Sequence, residues 1–88
     1  QKDLACDICS CESQFNPNAR GIVDKRDRGL YQINSYWWSQ ITDEMAFNPE
    51  YSTRWACREI KANKNHWPAS QKCWNKIGKY DFFNPTKS

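Results

Sequence analysis

The stretch Asp27-Arg28-Gly29-Leu30-Tyr31-Gln32-Ile33-Asn34-Ser35-Tyr36-Trp37-Trp38 decides how the chain is read. Upstream of it, Glu12 stands at the end of a segment with helical periodicity. Two carboxyl groups can divide the work of breaking a glycosidic bond: one protonates the leaving oxygen, the other faces the developing oxocarbenium ion. Glu12 and Asp27 are the catalytic candidates. Gln32 and Asn34 offer donors and acceptors to sugar hydroxyls or N-acetyl groups, and Tyr36, Trp37 and Trp38 offer flat apolar faces to a pyranose ring. Each has a plainer reading as well. Glu12 can be a capping or ion-paired glutamate, Asp27 a cap or a partner of Arg26 or Arg28, and the tryptophans core.

Residues 2 to about 13 read as a helix, because Leu4, Ala5, Ile8, Cys9, Cys11 and Glu12 fall on one side of a helical wheel, with Asp3, Asp7 and Ser10 opposite. Glu12 therefore shares the buried side. Lost hydration disfavours its charged form, which suits a general acid. Phe15-Asn16-Pro17 ends this helix. Six of the eleven residues from 18 to 28 are charged, which predicts an exposed loop or short hairpin along one lip of a cleft. Gly29 permits a close bend, and a short helical turn over 28–33 points Leu30 and Ile33 inward, leaving Gln32 and Asn34 for the cleft. Asn48-Pro49 is a helix start; that helix reaches about Ala62, with Ala56, Cys57 and Ile60 inward. Asn63 to His66 is a polar loop, and Trp67-Pro68 opens a last short helix capped at Gly78. His66, the sole histidine, is given no catalytic or metal role.

At 88 residues the chain is one small domain, with its core over about 2–80 and a tail at 81–88 whose Phe82 and Phe83 cover the core or fray. A chain of this size buries only about 60–65% of its unfolded surface, so cross-links or large side chains must help. Thirteen aromatics and five cysteines are available. Apolar runs stop at triplets, against roughly 18 residues for a spanning helix, so no membrane insertion is expected. Residues 58–88 carry seven basic and two acidic side chains, which suits a solvated face or an anionic polymer. The lysines are dispersed and no nucleic-acid motif accompanies them, so nucleic acid is not the expected partner. Cys9 and Cys11 face inward, so bridges to Cys57 and Cys73 are expected, with Cys6 left over and an oxidising compartment implied. A zinc set drawn from Cys6, Cys9 and Cys11 with Cys57 or Cys73 is the alternative.

Glu12-Ser13-x-Phe15-Asn16, Asp27-x-Gly29-x-x-Gln32-Ile33-Asn34-Ser35-x-Trp37-Trp38 and Asn65-x-Trp67 resemble the c-type lysozyme pattern. Glu12-Ser13-Gln14-Phe15-Asn16-Pro17-Asn18-Ala19, Gly29-Leu30-Tyr31-Gln32-Ile33 and Phe47-Asn48-Pro49-Glu50 resemble the soluble lytic transglycosylase (SLT) pattern, with Trp74-Asn75 as a weaker echo. Both belong to the lysozyme-like superfamily. The resemblance implies a mainly α fold (α+β at most), with a short loop or β-hairpin forming one side of the cleft. It also implies cleavage of the β-1,4 bond between N-acetylmuramic acid and N-acetylglucosamine in peptidoglycan, by hydrolysis or by transglycosylation to an anhydro product. Glu12 would be the acid, and Asp27 the second carboxylate if hydrolysis is the route. Trp67 matches the tryptophan that packs against the acid in c-type lysozymes; with Asn75 it joins Gln32, Asn34, Tyr36, Trp37 and Trp38 as a substrate-binding candidate. The partner is peptidoglycan glycan strands, with no cofactor or metal, for a monomer working extracellularly or in the cell envelope. A non-catalytic glycan- or partner-binding module on the same fold is the alternative.

Overall fold

Asp3 accepts a hydrogen bond on its side chain from the Cys6 amide (3.1 Å) and so caps the first helix, α1, Leu4–Ser13. A computed structural model describes residues 3–80. In it, α1 is followed by strands β1 (Asp27–Arg28) and β2 (Ile33–Asn34), helices α2 (Asp43–Ala46) and α3 (Pro49–Lys61), a 3-10 turn at Pro68–Ser70 and helix α4 (Gln71–Gly78). The protein is mainly α-helical with one small antiparallel hairpin.

Leu4, Ile8 and Cys9 are buried on the inner side of α1, as its periodicity predicts. The helix stops at Ser13 because Gln14 and Phe15 both adopt left-handed backbone (φ 53° and 62°), a conformation costing a side-chain-bearing residue roughly 1–2 kcal/mol. That reversal begins two residues after Glu12.

The hairpin lies later than the 18–28 segment expected to hold it. Asp27 pairs with Asn34 and Arg28 with Ile33, while the earlier residues contribute only an isolated bridge between Arg20 and Arg28. Residues 29–32 form the connecting turn instead of a short helix, with Gly29 at φ 78° and Gln32 at φ 54°. A Cβ on Gly29 would lie 2.3 Å from the Ala46 carbonyl oxygen, so chain packing as well as backbone sign demands glycine there. Ile33 is buried and Leu30 half-buried, in line with the inward positions expected of them, and Tyr31 is buried as well.

Asn48 caps α3, accepting from the Tyr51 amide at 2.9 Å, with Pro49 at the first helical position. Trp55, Ala56 and Ile60 are buried, whereas Cys57 is exposed and so leaves the inward stripe assigned to it. The helix α4 closes on Lys79 in left-handed conformation (φ 55°), not on Gly78. Gly78 is instead pressed by the Tyr80 ring, 2.1 Å from where a Cβ would stand.

One disulfide, Cys11–Cys73, joins α1 to α4. Cys11 is thereby removed from any zinc set. The second bridge expected, from Cys9 to Cys57, does not form: Cys6, Cys9 and Cys57 are free thiols lining an apolar groove with Phe15, Leu30 and Tyr31. Among the described residues no helix is long and apolar enough to cross a membrane. The tail with Phe82 and Phe83 lies outside the described residues.

Candidate active site

Glu12 is half-buried on the last turn of α1. Burial strips water from its carboxyl and raises its pKa above the ordinary carboxylate value; the Ser70 hydroxyl, donating to Oε2 at 2.5 Å, opposes that shift, and the charge of Asp27 adds to it. Glu12 and Asp27, fifteen residues apart in sequence, thus sense one another across space. Both line a cleft of about 600 Å³, a size that suits a small-molecule or saccharide segment.

Asp27 neither caps a helix nor pairs with a neighbouring arginine. Its Oδ1 accepts from the Asn34 side-chain amide at 2.8 Å, the residue opposite it in the hairpin. Arg26 clamps Asp24 with two hydrogen bonds of 2.9 Å, holding that carboxyl far below the usual range. Arg28 is buried and reaches the Ile33 and Ile41 carbonyls at 3.0 and 2.8 Å and Asp43 at 2.9 Å.

The amide pair is largely engaged within the protein. Asn34 donates to Asp27 and Asp24 and accepts from the Tyr36 amide at 2.9 Å. Gln32 donates to the carbonyls of Gly29 and Ala19 at 2.9 and 3.3 Å. Both side chains line the cleft, and their hydrogen-bonding groups hold its hairpin wall in shape.

The opposite wall is aromatic. Trp38 is half-buried, edge-on to Trp55 (5.2 Å between ring centroids), and Trp55 meets Trp67 at 5.9 Å. Trp67 is buried and its indole N–H donates to the Tyr31 carbonyl at 2.9 Å, tying the wall to the hairpin turn. Trp37 lies at the lip, 74% exposed, and still lines the cleft. Of the paired tryptophans, then, one packs and one stands open. Tyr36 is exposed, edge-on to Trp37 and beneath the Arg26 guanidinium, and is not among the cleft-lining residues; nor is Asn75, on α4, whose Oδ1 is buried without a hydrogen-bond partner.

Sequence reasoning left out Ser70, Trp55 and His66. Ser70 lies 58 residues from the carboxyl it touches, and no local pattern marks such a contact. Trp55, on α3, and His66, in the polar loop after it, both line the cleft. A histidine directly before a core tryptophan in a loop bordering the cleft was the only signal available.

Comparison with curated proteins finds no match, and comparison with solved structures finds none either. The family described as "Transglycosylase SLT domain" matches residues 1–77. With the glutamate, the glycine turn and the aromatic wall lying inside that span, the chain belongs to the transglycosylase SLT domain family.

Proposed function

We propose that this domain cleaves the β-1,4 bond between N-acetylmuramic acid and N-acetylglucosamine in peptidoglycan, as a lytic transglycosylase acting in the cell envelope. The observation that carries this reading is the desolvated Glu12 in a tryptophan-walled cleft, in a chain of the SLT family. Burial keeps Glu12 protonated to higher pH, so it can deliver its proton to the glycosidic oxygen as the bond breaks. The resulting carboxylate then accepts the proton of the muramic 6-hydroxyl while that oxygen attacks C1, closing a 1,6-anhydro ring. Glu12 ends each cycle protonated as it began. The disulfide is consistent with an oxidising, extracytoplasmic setting.

A second reading, hydrolysis, is favoured by one specific observation: Asp27 lines the same cleft and its charge acts on Glu12. In that route Asp27 stabilises the oxocarbenium ion or bonds to C1, and water completes the reaction with retention.

Mass spectrometry of soluble products from purified peptidoglycan separates these readings. Wild-type protein is expected to release 1,6-anhydro muropeptides, and Glu12→Gln to lose at least about a hundredfold in rate, with Asp27→Asn losing far less. Reducing-end products, with activity abolished by Asp27→Asn, would transfer the domain to the hydrolases. Glycan binding without products from the wild type would leave a binding module.

A further inference from the structure

With the donors of Asn34 and Gln32 spent on the protein itself, the cleft needs other polar groups to orient a sugar. His66 is the candidate that the geometry builds. Its Nε2 lies 2.7 Å from Oε1 of Glu59, a buried residue of α3. Its ring stacks on Trp55 (26° between planes, centroids 5.5 Å apart) and stands edge-on to Trp38 and Trp67 at 5.4 and 5.6 Å. Three indoles and a carboxylate therefore fix one imidazole on the wall of the cleft, and 29% of its side chain remains accessible.

The tautomer follows from the partner. A carboxylate accepts hydrogen bonds and cannot donate them, so Nε2 of the neutral ring carries the proton and Nδ1 is left with its lone pair. Among the described residues, Nε2 is the ring nitrogen that the protein engages. A stacked, pre-oriented acceptor beside a tryptophan-lined cleft is suited to a ligand that presents an apolar face and an N–H or O–H at its edge.

We infer that His66 is a substrate-orienting residue, accepting at Nδ1 a hydrogen bond from an amide N–H or hydroxyl of the glycan strand, and that Glu59 positions it by fixing the tautomer. This rests on the proposed cleavage of peptidoglycan and adds to it a residue that acts on binding and not on proton transfer. The donor has two possible sources, the sugar itself or the stem peptide attached to it.

The test measures dissociation constants in a Glu12→Gln background, which cannot turn substrate over. The ligands are a peptide-free N-acetylglucosamine tetramer and a tetrasaccharide muropeptide that carries stem peptides. Adding His66→Phe, which keeps a stacking ring and removes both nitrogens, is expected to weaken binding roughly fivefold to tenfold, and His66→Asn to recover most of the loss. Glu59→Gln, isosteric and able to pair with either tautomer, is expected to weaken it about twofold to threefold, so the inference stays testable if His66→Phe folds poorly. In the otherwise native enzyme His66→Phe should raise KM by the same factor and leave kcat within about twofold.

A loss on both ligands assigns the donor to the sugar; a loss confined to the muropeptide assigns it to the stem peptide. Unchanged affinity for both, or a fall in kcat with KM intact, overturns the inference while leaving the cleavage reading standing. Should the background protein bind neither ligand and the wild type release no products, the functional reading falls and this inference with it.

Discussion

A carboxyl group kept short of water serves acid catalysis and weakens the fold at the same time. Because burial raises the Glu12 pKa, the folded protein holds the proton more tightly than the unfolded chain does. Glu12 therefore favours folding most at pH below its ordinary value of 4.5, and that contribution is lost as pH rises through the raised folded value. Glu12→Gln, neutral and isosteric, should melt a few degrees above the wild type at pH 7, with the gap closing as the pH falls through the raised folded value and gone by the ordinary value of 4.5. Thermal melts of the two proteins from pH 4 to 8 check this, and equal pH dependence would contradict it. The direction was legible in the helical wheel, which puts Glu12 on the apolar side of α1. Its hydrogen bond to Ser70 was not, since nothing near residue 12 or residue 70 announces the other. The roles of Gln32 and Asn34 were half legible: their residue types suggested contact with sugar, but hydrogen bonds to Gly29, Ala19, Asp24 and Asp27 depend on a turn that only the folded chain defines.

The hairpin is held less by its own two pairs of residues than by one arginine. Arg28 is 1% exposed and satisfies the Ile33 and Ile41 carbonyls together, fastening the β2 strand to the segment leading into α2. Replacing it with methionine fills the space but strands buried acceptors, for an expected loss of about 2–4 kcal/mol in urea unfolding. Asp43→Asn should change stability little, because its carboxylate is open to solvent and a surface pair contributes weakly. A large effect of Asp43→Asn, with a small one for Arg28→Met, would mean that the ion pair rather than the carbonyl contacts holds the hairpin. Strands of two residues carry no alternation to read, and a buried arginine in a highly charged stretch resembles its exposed neighbours, so the hairpin was anticipated in kind but misplaced along the chain. By contrast α3 was legible from Asn48 onward, since its cap and its proline act within four residues.

At the scale of the molecule, the contacts that matter most close the chain on itself. Cys11 bonds Cys73, the Ser70 hydroxyl meets Glu12, and the Tyr80 hydroxyl donates to Asp7 at 2.5 Å. Cross-linking residues 62 apart restricts the unfolded chain enough to stabilise by about 4 kcal/mol on loop-entropy grounds. Cys11→Ser, or reduction of the wild type, should lower the unfolding free energy by about that amount, measured by urea titration with and without reductant. A loss under about 1 kcal/mol would show that packing of α1 on α4 suffices without the bond. Cysteine spacing made this bridge one of several options, and only the faces of α1 and α3 separate Cys11 from the thiols left free. The closure also orders events in time. Ser70 lies 58 residues after Glu12, so until those two segments meet the Glu12 carboxyl is an ordinary hydrated one. Its burial and its raised proton affinity are therefore acquired together, when the turn carrying Ser70 docks on α1.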